Sequence, residues 1–399
     1  MEHSMRFKVL FLASWYPSRI HPLAGIFIKK HAEAVSLYSD VAVLYVTADK
    51  SLKDKTYDIE YSVENGIPTV RVYYKHFSKI KGLSKVINFY RYLKANYLGL
   101  NVIKKNFGKP DISHVNVVFP AGIIGLLLKK LKNIPYIVTE HWSGYVLNDG
   151  SYKGLKRKLF TKLIIKNANA VTTVSNYLKD AMLKHGLYNK HYVVPNVVNP
   201  KCTSEKDKSS NSKKLILHIS LLLDETKNVS GILKAIHDVI NKRNRIDFEL
   251  HIVGDGKDKQ NLEKLALDLG LLNKYVFFDG MKSNEEVQEF LNRADFLITN
   301  SNYETFSVAT AEALACGVPV IATKCGGPED FVTKECGILI EPGNHEQLVQ
   351  AILYMLDNSH KYDRDKISQY AKSKFSYEVV GKQFYDIYIY IYINSIVKK

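Results

Sequence analysis

FLITNSNYETFSVATAEALACGVPVIATKCGG, residues 296–327, runs from a short β-branched apolar segment through a polar loop and an alanine-rich stretch to a second apolar segment. FLITNS (296–301) and PVIATK (319–324) are rich in strand formers, and Gly317 followed by Pro319 stops a helix between them. Strand, helix and strand in that order make a βαβ unit, the building block of a doubly wound parallel sheet.

The same rhythm extends in both directions. KLILHIS (214–220), FELHIVG (248–254), YVFFDG (275–280) and GILI (337–340) complete one set of strands. KVLFLA (8–13), VAVLYV (41–46), TVRVYY (69–74), ISHVNV (112–117), YIVTE (136–140), AVTTVS (170–175) and YVVPN (192–196) make another. Between the sets, PKCTSEKDKSSNSKK (200–214) is polar and lacks apolar periodicity, as a solvated linker does. The reading is α/β: two Rossmann-like domains over 1–200 and 214–375, joined by a linker at 201–213. The C-terminal stretch sets two rules against each other. Tyr and Ile alternate from Tyr388 to Ile393 as in a strand, whereas the position and the absence of turn residues favour a helix over about 376–399 that joins the first domain. The expectation is helix.

Composition narrows the function. With 399 residues, 46% hydrophobic and 24% charged, the chain is of ordinary globular character. No apolar run approaches the roughly 18 residues of a membrane span, and the first residues lack a cleavable leader pattern, so a soluble cytoplasmic protein is expected. Cys202, Cys316, Cys325 and Cys336 show no zinc spacing and read as reduced thiols. Leu10 to Phe27 contains one glycine, Gly25, and no GxGxxG, which removes most of the case for a dehydrogenase. Net charge is +16 and uneven: residues 1–200 hold 30 Lys and Arg against 12 Asp and Glu, the remainder 26 against 28. One domain therefore faces an anionic partner.

Ligands of such sheets bind beyond the carboxyl ends of the strands, in the cleft between two facing domains. Glu304 follows FLITNS, and Glu312 stands eight residues on, in the helix, whose start is placed near Phe306. That start is an anion site for phosphate, and Glu312, about 9 Å along it, can accept hydrogen bonds from the vicinal hydroxyls of a ribose. The isolated-residue alternative is a cap acid and an exposed helix acid.

Ser301, Glu304, Phe306, Glu312, Ala313–Gly317, Pro319–Ala322 and the Gly326–Gly327 pair together resemble the signature of the family-4 retaining glycosyltransferases, which have the GT-B fold. The resemblance implies that Glu304 meets the donor sugar near the reacting centre and that Glu312 holds the ribose. It also implies that the amides of Phe306 and Ser307 meet sugar and phosphates. The family often has Gly-Phe-Gly where Thr305, Phe306 and Ser307 stand, so side chains narrow this donor pocket. LLLDETKN (221–228) resembles the family's diphosphate loop, with Lys227 as its lysine and Leu221 where many members carry Arg. The loop with Gly254 in HIVGDGKD (251–258) and that with Met281 in FFDGMK (277–282) complete the implied donor site. His141, in VTEHWSGY (138–145), is the implied catalytic partner from the first domain. Gly25, in ASWYPSRIHPLAGIF (13–27), is the implied acceptor-side loop residue, standing where relatives often have Gly-Gly. Asp363 and Asp365 form a lexical Asp-x-Asp without a preceding strand, and no metal is assigned to them.

Two basic segments remain: 79–105, where Leu83, Val86, Ile87, Tyr90, Leu93 and Tyr97 recur at helical spacing among Lys81, Lys85, Arg91 and Lys94, and 152–166, with six Lys or Arg. They fit either an anionic membrane surface or ordinary packing with solvated lysines outside, and no nucleic-acid module is visible. The expected activity is metal-independent, cofactor-free transfer of a sugar from a nucleotide diphosphate-sugar, UDP before GDP, to a glycan or lipid-linked acceptor in cell-surface polysaccharide synthesis. The alternatives are a GT-B nucleotide-sugar epimerase and a non-catalytic nucleotide-sugar-binding subunit.

Overall fold

KVLFLA buries every residue after its lysine and becomes β1 (Lys8–Ala13), in the middle of an eight-stranded sheet. A computed structural model describes residues 5–78, 80, 83–146, 149–200, 202 and 213–396. The other strands of this sheet are β2 (Asp40–Asp49), β3 (Tyr57–Glu64), β4 (Ile67–Lys75), β5 (Ile112–Asn116), β6 (Tyr136–Glu140), β7 (Ala170–Thr173) and β8 (His191–Val193), in the order β3-β4-β2-β1-β5-β6-β7-β8. All neighbours are parallel except β3 and β4, an antiparallel hairpin. β3 escapes the strand reading above, and the sheet is therefore mixed at one edge. Its residues alternate in burial as an edge strand should, and Asn65 and Gly66, both at positive φ, turn the hairpin.

The second sheet contains β9 (Lys214–Ile219), β10 (Phe248–Val253), β11 (Val276–Gly280), β12 (Phe296–Thr299), β13 (Val320–Thr323) and β14 (Gly337–Ile340). Its order is β11-β10-β9-β12-β13-β14, parallel throughout. Each sheet belongs to its own unit: Met1–Val174 with Leu178–Val197 and Tyr377–Lys399, and Val198–Ser376 with Ser175–Tyr177. All but two of the residues read as the linker, Cys202 and Lys213, lie outside the described residues.

The C-terminal stretch is a helix, Tyr377–Ile396, in the first unit. Tertiary packing decides it: Val380, Phe384, Tyr388 and Ile391 fall on one helical face and are buried with Val9, Phe11 and Ile28. Each such burial contributes about 1.5–3 kcal/mol, more than strand propensity can offset. This helix and Ile26–Ser36 cover one face of the sheet.

The other face carries a layer of three helices. Leu12 is in register with both Leu44 and Val115, so all three point the same way. Gly99 of helix Leu83–Asn106 lies on Leu44, Gly125 of helix Ala121–Lys132 lies on Val115, and Gly122 of the latter packs on Ile164 of helix Leu155–Asn167. The first of these helices buries Tyr92, Ala95, Asn96, Gly99 and Ile103 and leaves Leu83, Val86, Tyr90 and Tyr97 exposed. Of the apolar positions read at helical spacing, these four lie on its outer face, while Ile87 and Leu93 are half-buried. Lys79 and Lys81 lie outside the described residues.

Cys202 and Cys316, whose Cα atoms are 5.2 Å apart, form a disulfide within the second unit, against the expectation of four reduced thiols. Spacing rules read local pairs and are blind to a contact across 114 residues. Cys325 and Cys336 are buried free thiols.

Candidate functional site

Parallel strands deliver their following loops to one rim of a sheet. In the second unit, Lys227 follows β9, Gly254 follows β10, Met281 follows β11 and Glu304 follows β12. Lys227 ends a single helical turn, Asp224–Lys227, and its Nζ donates to Glu304 Oε1 at 2.5 Å. Ser301 Oγ donates to the same oxygen at 2.8 Å. The pair is partly sheltered, with side chains 21% and 13% exposed for Lys227 and Glu304. It is also tied in place: Asn302 donates through its backbone N–H to the Thr226 carbonyl and through its side chain to the Glu225 carbonyl, both at 2.7 Å. Glu304 is held from the opposite side, its N–H donating to the Cys325 carbonyl and its carbonyl accepting from the Gly327 N–H.

Gly254 has a structural reason to be glycine. Its φ is +139°, and a Cβ there would lie 1.8 Å from the Ser220 carbonyl oxygen. The β9 and β10 loops are thereby pressed together, and Asp258 accepts from the Asp224 N–H at 2.8 Å. Met281 and Leu221 stand on this rim as exposed side chains.

The helix after β12 begins at Val308 rather than near Phe306, with Ser307 as its cap. Glu312 is consequently about 6 Å along it, not 9 Å. Phe306 turns its ring into a cluster with Phe331 and Phe375, leaving only its backbone for a ligand. Ser307 occupies the left-handed region, φ 71°, and its hydroxyl is hydrogen-bonded with Thr310 at 2.7 Å. Thr305 and Glu312 are both half-buried. Asp363 caps helix Arg364–Phe375 and pairs with Lys366, an ordinary structural role.

His218 is a member of this site that the residue patterns did not single out. It is buried on β9, with Nδ1 2.8 Å from the Ile298 carbonyl oxygen and Nε2 2.8 Å from Ser220 Oγ. Burial pushes its pKa down to about 4, with Lys227 adding to the effect. Neutral His218 must then donate from Nδ1 to the carbonyl and accept at Nε2 from the serine. One histidine inside the apolar run KLILHIS was the available signal.

In the first unit, Gly25 caps helix Ile26–Ser36 at φ 70°, where a Cβ would sit 2.5 Å from the Trp15 carbonyl oxygen. Two residues on, Phe27 places its ring 4.5 Å from that of His141, so the β1 and β6 loops do meet. His141 is buried, and among the described residues neither of its ring nitrogens nor Asn196 Oδ1 has a hydrogen-bond partner of good geometry, although the Asn196 side chain lies close enough to favour the charged imidazole. Burial holds His141 well below the usual histidine range, with His31 and His114 nearby adding to it. Beside it, the Glu140 carboxylate accepts from the N–H groups of Val118, His141 and Trp142, and burial raises its pKa. Unpaired buried polar atoms of this kind are suited to a ligand's hydroxyl groups.

The chain matches two family profiles: "Glycosyltransferase Family 4" over residues 40–201 and "Glycosyl transferases group 1" over residues 202–374. It is 31% identical over 307 residues to an uncharacterized glycosyltransferase of Methanocaldococcus jannaschii, spanning 76% of this chain and 80% of that one. A putative teichuronic acid biosynthesis glycosyltransferase of Bacillus subtilis, TuaC, is 24% identical over 400 residues, 94% of each chain. Among solved structures, the sucrose-phosphate synthase of Thermosynechococcus elongatus superposes with a TM-score of 0.75 at 18% identity, covering 98% of this chain and 100% of that one.

Proposed function

For a chain that belongs to the family-4 glycosyltransferases and has the GT-B fold, we propose the following reaction: a sugar passes from a nucleotide diphosphate-sugar, UDP before GDP, to a glycan or lipid-linked acceptor, with retention at the anomeric carbon. The setting is cell-surface polysaccharide synthesis at the inner face of the membrane. The observation that carries this reading is the Lys227–Glu304–Ser301 cluster on the rim of the second sheet.

The chemical demand is charge. When the glycosidic C–O bond breaks, the departing diphosphate gains negative charge, and a fixed ammonium with oriented N–H groups stabilises it without a metal or other cofactor. Lys227 supplies the ammonium, and the N–H groups opening helix Val308–Ala315 supply the dipole. Glu304 holds Lys227 before the donor arrives and faces the sugar carbon as positive charge develops there. Glu312 takes the ribose hydroxyls. His141, neutral, meets a sugar hydroxyl.

The test is a panel of UDP-, GDP- and ADP-sugars assayed with EDTA present, with the product's anomeric configuration read by NMR. Transfer with retention under chelation is expected. Activity that needs Mn²⁺, or an inverted product, overturns the mechanism.

A further inference from the structure

The outer surface of the three-helix layer on the first sheet has an unusual make-up. Helices Leu83–Asn106, Ala121–Lys132 and Leu155–Asn167 together carry 13 Lys and Arg and no Asp or Glu. Their outward apolar residues are also unusual. In Leu155–Asn167 the buried Thr161, Ile164 and Ile165 face inward, and at 100° per residue the stripe Leu155, Leu159, Phe160 and Leu163 points the opposite way. Lys158, Lys162 and Lys166 run beside that stripe at the same four-residue interval. Leu155 is 74% exposed and Leu131, on the adjoining helix, 73%. Val86, Tyr90 and Tyr97 extend the pattern onto Leu83–Asn106, on the same side of the sheet.

A solvated face has lysines outward and leucines inward. This one has both outward, and the three helices themselves hold no acid to neutralise it. We infer that this helix layer is a docking surface for an anionic lipid leaflet, with the leucines and aromatics entering the headgroup boundary and the lysines on the acidic headgroups. Charge selects the leaflet, because lysines beside an anionic surface each contribute to partition. The apolar stripe selects lipid over a soluble polyanion, because leucine in the acyl boundary is removed from water whereas on a nucleic acid it is not. Among the described residues no helix is long and apolar enough to cross a membrane, so attachment by these helices would be to one leaflet. The inference rests on the membrane-side reading above and names the surface responsible.

Co-sedimentation of the full chain with vesicles of phosphatidylcholine alone, or with 30% (about a third) phosphatidylglycerol, tests it. Binding is expected only with the acidic lipid, and to weaken as salt rises. Replacing Lys156, Lys158, Lys162 and Lys166 by Gln should lower partition by more than about tenfold. Replacing Leu155, Leu159 and Leu163 by Ser should lower it comparably at high salt, where apolar contacts carry the attachment. Thermal melting with and without UDP, run on the same samples, reports folding and the donor site separately. Parent-like binding in both variants overturns the inference, as does loss of vesicle binding to competing duplex DNA with no effect of the serine substitutions. Vesicle binding by a chain that transfers no sugar would instead break the glycosyltransferase reading alone.

Discussion

The carboxyl rims of the two sheets are made of opposite materials. On the second, Lys227 and Glu304 keep a charged pair partly open to water. On the first, His141, Asn196 and Glu140 are buried, the histidine held neutral and the carboxyl pushed toward its neutral form. In the proposed reaction the charged rim would take the phosphate and the charge that develops during bond cleavage, and the buried rim would take hydroxyl groups.

The largest expected effect breaks the charged rim. Lys227→Ala removes the ammonium and leaves Glu304 repelling the diphosphate, so turnover should fall about a hundred- to a thousandfold in a steady-state transfer assay. A loss under tenfold would place the neutralising charge elsewhere.

Acid should distinguish the two rims next. His31 and His218 are pushed down to about 4, and His114 and His141 well below the usual value, all mainly by burial. The unfolded chain takes up protons below about 6.5 while the folded chain refuses them, so stability is complete above that pH and is lost as pH falls toward 4. Each histidine costs about 1 kcal/mol per pH unit across that window. Glu140 opposes the trend, its raised pKa relieving a cost as pH falls. Three of the four histidines lie in the first unit. Hydrogen exchange at pH 5.5 should therefore show the first sheet opening before the second, and simultaneous opening would contradict the assignment.

A purely steric probe is smaller. Gly254→Ala drives a methyl into the Ser220 carbonyl at an unfavourable φ and should cost about 2–3 kcal/mol in denaturant unfolding. The smallest effect has the opposite sign. Ser307→Gly relieves a left-handed serine at the cap and should raise stability by up to about 1 kcal/mol, net of the lost Thr310 bond, as a small increase in melting temperature.

Ser307 also shows where the residues spoke for themselves and where they did not. The strands that build both sheets are legible because parallel strands covered on two faces are continuous apolar runs, as β1 and β12 are. β3 was lost because Asp58, Glu60, Ser62 and Glu64 interrupt its apolar positions, as an edge strand permits, although Asn65-Gly66 marked the turn. The helix after β12 was legible but not its first residue, since a serine at positive φ breaks the preference that would locate it. Lys227 and Glu304 were visible one at a time; their contact spans 77 residues, and only the fold supplies it. The outward leucines of Leu155–Asn167 could not be told from a packing face, because periodicity reports a stripe and not the side on which the sheet lies.

In the proposed reaction two glutamates on the second rim divide the labour, Glu312 binding the nucleotide and Glu304 serving turnover. Calorimetric titration of UDP into the parent, Glu312→Ala and Glu304→Ala tests it directly. Glu312→Ala should weaken binding by about 1.5–3 kcal/mol, the scale of a charge-assisted hydrogen bond to the ribose. Glu304→Ala should leave UDP affinity unchanged or slightly tighter, because Lys227 is released to the diphosphate. Equal losses in the two variants would contradict the claim.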